Sequence, residues 1–67
     1  MKENVQNEVL NMRQKASVTQ EEFARAIGVT RQTVIAIEKG NYEPSLGLAL
    51  KLSRLFKASI ETLFQMK

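Results

Sequence analysis

Apolar residues recur along the chain at the spacing of an amphipathic helix. In the segment that begins near residue 20, Phe23, Ala24 and Ile27 share one face, and Val34 and Ile37 do the same in the next segment. Strand-like alternation is not evident over more than a few residues. The pattern therefore predicts an all-α fold.

Capping residues, glycines and one proline divide the chain into five predicted helices. Thr19 and Glu22 have the spacing of a capping box at the start of the second helix, and Gly28 stands where a left-handed residue would end it. The predicted helices run from Asn7 to about Ala16, from Gln20 to Ile27, from Thr30 to Lys39, from Ser45 to Phe56, and from Ile60 to about Gln65. Residues 7–66 thus form one helical domain, and residues 1–6 are predicted as an arm, a short strand or a disordered segment.

The composition limits the chemistry that is open to this chain. Its 67 residues have room for one domain, and they include no histidine, cysteine or aspartate. The commonest general base and the usual zinc ligands are missing, so we expect no enzymatic activity, metal or cofactor. No apolar run approaches a membrane span and the first residues do not resemble a secretory signal, so we expect a cytoplasmic protein. The net charge of +3 permits binding to nucleic acid without requiring it.

A very short connection joins the second and third predicted helices. Only Gly28, Val29 and Thr30 lie between them, and a connection of this length makes two helices cross steeply. Ala24 places a small side chain where the helices approach. Apolar residues that would fix the crossing are Phe23, Ile27, Val29, Val34 and Ile37. The segment from Gln20 to Glu38 is therefore predicted to be a helix-turn-helix.

The side of the third helix that faces away from the core carries groups suited to DNA bases: Arg31, Gln32, Ile35 and Ala36. An arginine can pair bidentately with guanine and a glutamine with adenine, whereas Ile35 and Ala36 suit thymine methyl groups. The alternative is a solvated face with one exposed isoleucine. Because this face follows the turn that would present it to DNA, we expect it to enter the major groove.

Polar side chains around the third helix are predicted to hold it on the DNA backbone. The expected phosphate contacts are Gln20, Thr30, Thr33, Lys39, Asn41 and Tyr42. Gln20 stands at the N-terminus of the second helix, where free N–H groups and the helix dipole favour an anion. A helix cap or a solvated side chain is the alternative for each of these residues, and Thr30 is also predicted to cap its helix.

From about Asn7 to Phe64 the chain resembles the phage repressor and Cro-like helix-turn-helix family, also called the xenobiotic-response-element family. The resemblance rests on Met12-Arg13 and on the runs Val18 to Ala24, Ile27 to Val34, Ile37 to Leu46, and Ile60 to Phe64. It implies a compact five-helix, repressor-like domain that binds operator DNA as a two-fold homodimer and represses transcription. In this resemblance, the family's base-contacting positions correspond to Arg31, Gln32, Ile35 and Ala36, and its phosphate-contacting positions correspond to Gln20, Thr30, Thr33, Asn41 and Tyr42. The resemblance also implies an ion pair between Arg13 and Glu38 that holds the first helix against the third.

The apolar residues of the fifth predicted helix, Ile60, Leu63 and Phe64, are the expected homodimer surface, with Leu50 or Leu10 as further members. A dimer would place two recognition helices about 34 Å apart in successive major grooves. The alternative for this stripe is packing onto the core. Both hold together if Ile60 points inward and Leu63 or Phe64 points outward.

The sequence leaves other functions open beside a sequence-specific regulator of transcription, for which repression is favoured over activation. An antitoxin would keep the DNA-binding fold and bind a toxin as well, and the sequence does not separate the two. A helical protein-interaction module would need a face without DNA-compatible groups, whereas Arg31, Gln32 and Lys39 suit DNA. An enzyme is the weakest candidate.

Overall fold

In the computed structural model, residues 5–66 are described, and they form five helices and one small sheet. The helices are α1 (Val9–Lys15), α2 (Gln20–Ile27), α3 (Arg31–Glu38), α4 (Leu46–Phe56) and α5 (Ile60–Leu63). Strands β1 (Val5–Asn7) and β2 (Phe64–Met66) pair antiparallel, with Asn7 opposite Phe64 and Gln6 opposite Gln65. The predicted five-helix fold is confirmed, and the two-stranded sheet is an addition to it.

Side-chain caps determine where four of the helices begin. Thr19, Thr30, Ser45 and Ser59 each accept a hydrogen bond from the backbone N–H three residues later. Glu22 completes the predicted capping box by accepting from the N–H of Thr19 at 2.9 Å. Hydrogen bonds from the backbone N–H of Thr19, and then from its side chain, lower the pKa of the Glu22 carboxyl. The cap at α2 is therefore made by an ionised carboxylate at neutral pH.

The N-terminal end of the domain differs from the prediction. Helix α1 begins at Val9 instead of Asn7, and residues 5 and 6 belong to β1, a short strand being one of the three alternatives predicted for residues 1–6; residues 1–4 lie outside the described residues. Asn7 still acts on the start of α1, because its Oδ1 accepts from the N–H of Val9 at 3.1 Å. Its Nδ2 donates to the carbonyl of Ile37 at 2.9 Å. One side chain therefore links β1, α1 and α3.

The fifth helix is shorter than predicted. Phe64 has φ −128° and ψ 128°, so the chain leaves α5 after Leu63 and continues as β2 instead of extending the helix to about Gln65. The N–H of Glu8 donates to the Leu63 carbonyl at 2.9 Å, which extends the pairing of the two chain ends beyond the strands. The sheet thus joins both ends of the domain.

All five helices contribute to one hydrophobic core. Its buried residues are Val9, Phe23, Ala24, Ile27, Val34, Ile37, Leu52 and Leu63. The rings of Phe23 and Phe56 stack with their centroids 5.5 Å apart, which joins α2 to α4. The Leu63 side chain has no exposed surface. The prediction that Leu63 faces a partner is therefore wrong, because its side chain is enclosed by its own chain.

Candidate nucleic-acid interface

The turn between α2 and α3 consists of three residues with separate tasks. Gly28 has φ +75°, a backbone conformation that residues with a Cβ rarely adopt. The N–H of Val29 donates to the Ala24 carbonyl at 3.0 Å, and the Val29 side chain packs against the core. Thr30 caps α3. The predicted helix-turn-helix is thus present over residues 20–38.

Helix α3 has a buried side and an accessible side. Val34 and Ile37 have no exposed surface and belong to the core. The residues predicted to contact bases retain accessible surface: Arg31 and Gln32 are exposed, and Ile35 and Ala36 are half-buried. The polar pair lies in the first turn of α3, and the apolar pair follows in the next turn.

Most of the predicted phosphate contacts lie at the two ends of α3. Thr30 accepts from the N–H of Thr33 at 3.2 Å, and the two hydroxyl oxygens are 3.1 Å apart. Lys39, Asn41 and Tyr42 follow the C-terminal end and are exposed. Groups that can donate hydrogen bonds to phosphate oxygens therefore lie at both ends of α3.

Gln20 differs from these residues because its side chain already makes a hydrogen bond within the domain. Its Nε2 donates to Glu38 Oε1 at 3.0 Å, and the residue is half-buried. The contact joins the first residue of α2 to the last residue of α3. Sequence reasoning missed it, since nothing in the local pattern signals a contact between polar residues 18 positions apart.

Glu38 is also the partner of Arg13, as the resemblance implied. Arg13 Nε donates to Glu38 Oε2 at 2.6 Å and its Nη2 donates to Oε1 at 3.2 Å. The side chains are only 11% and 5% exposed. Arg13 Nη1 donates to the carbonyl of Val18 at 2.8 Å, next to the cap of α2. The pair therefore ties α1 and the start of α2 to the end of α3.

A shallow depression lies beside this pair, at the N-terminal ends of α2 and α3. It is lined by Arg13, Thr19, Gln20, Glu21 and Arg31. The exposed Arg31 and the free N–H groups of α2 make it a suitable neighbour for a phosphate, whereas the guanidinium of Arg13 is paired with Glu38 and Glu21 adds an opposing negative charge. Sequence reasoning gave Arg13, Thr19 and Glu21 no place at this surface, since their proximity to Arg31 depends on how the helices pack.

Other kinds of site are not evident in the described part of the chain. Among residues 5–66, no three histidine, cysteine, aspartate or glutamate side chains are grouped as metal ligands would be. In the same range, every helix is too short or too polar to span a bilayer.

Comparison with known proteins agrees with the helix-turn-helix fold. A helix-turn-helix family model matches residues 9–63. An HTH-type transcriptional regulator of Archaeoglobus fulgidus is 50% identical over 56 residues, which cover 84% of this chain and 80% of that protein. HTH-type transcriptional regulators of Methanocaldococcus jannaschii and of Bacillus subtilis (YgzD) are each 47% identical over 60 residues, 90% of this chain and 91% of each relative.

The fold and the family match define a helix-turn-helix protein, a non-enzymatic class whose domain binds double-stranded DNA. The chain belongs to the helix-turn-helix family of transcriptional regulators, of the xenobiotic-response-element or Cro/C1 type. The predicted family and the predicted role in DNA-binding transcription regulation are thereby confirmed.

Proposed function

We propose that this protein is a cytoplasmic repressor that binds a palindromic operator as a homodimer, with α3 in the major groove. The observation that carries the proposal is the exposure of Arg31 and Gln32 in the first turn of α3, directly after the turn from α2. In helix-turn-helix proteins the N-terminal residues of the second helix contact base edges. Arg31 is suited to guanine O6 and N7, and Gln32 to adenine N6 and N7.

Ile35 and Ala36 extend the proposed base-contacting surface by one helical turn. Both are half-buried, so each has part of an apolar side chain open to a ligand. The thymine methyl group is the apolar feature of the major groove that such side chains match. We therefore expect thymine at operator positions opposite the middle of α3.

The phosphate contacts in this proposal hold α3 in register without adding base preference. They are assigned to Gln20, Thr30, Thr33, Lys39, Asn41 and Tyr42. Lys39 supplies a full positive charge, whereas the others supply hydroxyl or amide hydrogen-bond donors. Neutral donors of this kind position the protein, and Lys39 adds a salt-dependent contribution to affinity.

Replacing Arg31 with alanine is expected to weaken binding to the preferred duplex by about 1–3 kcal/mol, because a bidentate arginine–guanine pair is lost. The preference at one base position should relax at the same time. Fluorescence-anisotropy titrations at fixed salt, with the preferred duplex and its single-base variants, measure both effects.

Lys39→Ala is the matched control, since it also removes one exposed positive charge, here at the C-terminal end of α3. It should weaken preferred and unrelated duplexes about equally and reduce the salt slope by about one unit. If Arg31→Ala had the same uniform effect and left every base preference intact, Arg31 would not be a base-contacting residue.

The proposed homodimer surface is the groove between α4 and the segment formed by α5 and β2. It is lined by Glu43, Pro44, Leu46, Ala49, Ile60 and Phe64. Leu46 is 71% exposed, more than any other large hydrophobic side chain of the described residues. A second copy is the favoured occupant, because one recognition helix covers few base pairs and a two-fold copy supplies another about 34 Å away.

Leu46→Lys is expected to raise the dimer dissociation constant about tenfold or more, because it removes an apolar side chain from the groove and desolvates an ammonium group that Glu43 would compensate only in part. Sedimentation velocity should then show a folded monomer. Leu55 is 47% exposed and lies about 180° from Leu46 around α4, so Leu55→Lys adds the same charge on the opposite side. The groove is not the interface if both variants stay dimeric or if both become monomeric.

A further inference from the structure

We propose that Glu38 is a positioning residue for DNA binding, because its carboxylate holds the amide of Gln20 in place at the start of α2. The inference rests on the proposed phosphate contact of Gln20. It goes beyond the ion pair with Arg13, which by itself would only hold α1 against α3. The hydrogen bond from Gln20 Nε2 to Glu38 Oε1, 3.0 Å long, is the observation that carries it.

The carboxylate of Glu38 accepts three hydrogen bonds from two residues, Arg13 and Gln20. Oε2 accepts from Arg13 Nε at 2.6 Å, while Oε1 accepts from Arg13 Nη2 at 3.2 Å and from Gln20 Nε2 at 3.0 Å. A carboxylate accepts hydrogen bonds only, so the NH₂ group of Gln20 must face it. One N–H of that group remains for a phosphate oxygen, at the end of α2 where free backbone N–H groups also favour an anion.

The charge of Arg13 explains how a carboxylate can stand this close to a phosphate site. An unpaired Glu38 would repel the DNA backbone, but its bidentate contact with Arg13 makes the pair neutral. Arg13 itself is fixed by its hydrogen bond to the Val18 carbonyl at 2.8 Å. The pair therefore provides a rigid acceptor for Gln20 without adding net negative charge beside the DNA.

The positioning role requires that the contribution of Gln20 to DNA affinity depend on the acceptor at position 38. Gln20→Ala should weaken binding of the preferred duplex about tenfold in the otherwise unchanged protein, the loss expected for a hydrogen bond to a charged group. The same substitution should cost less than about twofold when Arg13→Leu and Glu38→Leu are combined, since no acceptor remains to orient the amide.

Arg13→Leu combined with Glu38→Gln is the matched background. It has the same net charge as the background with both leucines, and it leaves no buried charge without a partner. It also retains an amide oxygen at position 38 that can accept a hydrogen bond from Gln20. In this background, Gln20→Ala should again weaken binding of the preferred duplex by most of the tenfold factor expected in the otherwise unchanged protein. An equal loss in all three backgrounds would show that Gln20 acts without Glu38 and would overturn the inference alone. No loss in any background would overturn the phosphate contact, and the inference with it.

A second measurement uses the unaltered protein and does not depend on how the variants fold. NMR relaxation of side-chain amides should show Gln20 nearly as rigid as the backbone, with an order parameter of about 0.85, and the exposed Gln32 below about 0.6. A Gln20 side chain as mobile as that of Gln32 in the free protein would contradict positioning by Glu38.

Discussion

Leu63→Asp should abolish cooperative folding of this domain. The Leu63 side chain has no exposed surface and belongs to the core shared by all five helices. An unpaired carboxylate in such a place costs several kcal/mol, and a domain of this size has a stability of only about 3–5 kcal/mol. Thermal unfolding followed by circular dichroism measures the outcome.

Thr62→Asp is the control for Leu63→Asp. Thr62 is exposed, and a carboxylate in the first turn of α5 is favoured by the helix dipole, so this neighbour should accept the same charge and stay folded. A folded, monomeric Leu63→Asp protein would contradict the core position and return Leu63 to the dimer surface.

Glu38→Leu should lower the free energy of unfolding by about 3–5 kcal/mol, because it leaves the Arg13 guanidinium nearly buried and without its carboxylate. The Arg13 side chain is 11% exposed, and in the described structure its other hydrogen bond goes to the Val18 carbonyl. Because this loss is comparable to the whole stability of the domain, the urea transition of the variant should move close to zero denaturant or disappear, which circular dichroism at neutral pH measures.

Arg13→Leu in combination with Glu38→Leu should restore most of that stability. Removing both partners leaves no stranded charge, and apolar side chains of similar volume often replace a buried ion pair without net loss. Should Glu38→Leu alone cost less than about 1 kcal/mol, the pair would be contributing like an exposed one.

Local signals explain why the helices were predictable from the sequence. A cap such as Thr19 or Ser59 acts through hydrogen bonds within three residues, and Gly28 ends α2 through its own backbone conformation. The sheet was not predictable in this way. Its strands have three residues each and pair the two ends of the chain, so no alternation is long enough to detect.

The sequence pattern of the fifth helix does not determine which of its apolar side chains are buried. Ile60, Leu63 and Phe64 form an apolar stripe, but a stripe on a four-residue helix does not say which member faces the core. Packing decides it: Leu63 is buried, while Ile60 and Phe64 line the groove beside α4. The dimer surface proposed from the structure therefore keeps two of the three predicted residues.

Some features of the candidate site are also predictable from the sequence, and others depend on how the helices pack. The accessibility of Arg31 and Gln32 follows from helical periodicity once Val34 and Ile37 are placed in the core. The Arg13–Glu38 pair came from the family resemblance. The contact of Gln20 with Glu38 follows from neither, because it depends on how the ends of α2 and α3 meet.

Selection of bound duplexes from a random double-stranded library at physiological salt tests whether a homodimer of this protein contacts DNA bases through α3. We expect an inverted repeat whose half-sites lie one helical turn apart, about 10 base pairs, with guanine, adenine and thymine at defined positions in each half. A single unrepeated half-site would contradict the homodimer. No enrichment of any sequence over the starting library would contradict base contact by α3, and with it the proposed function.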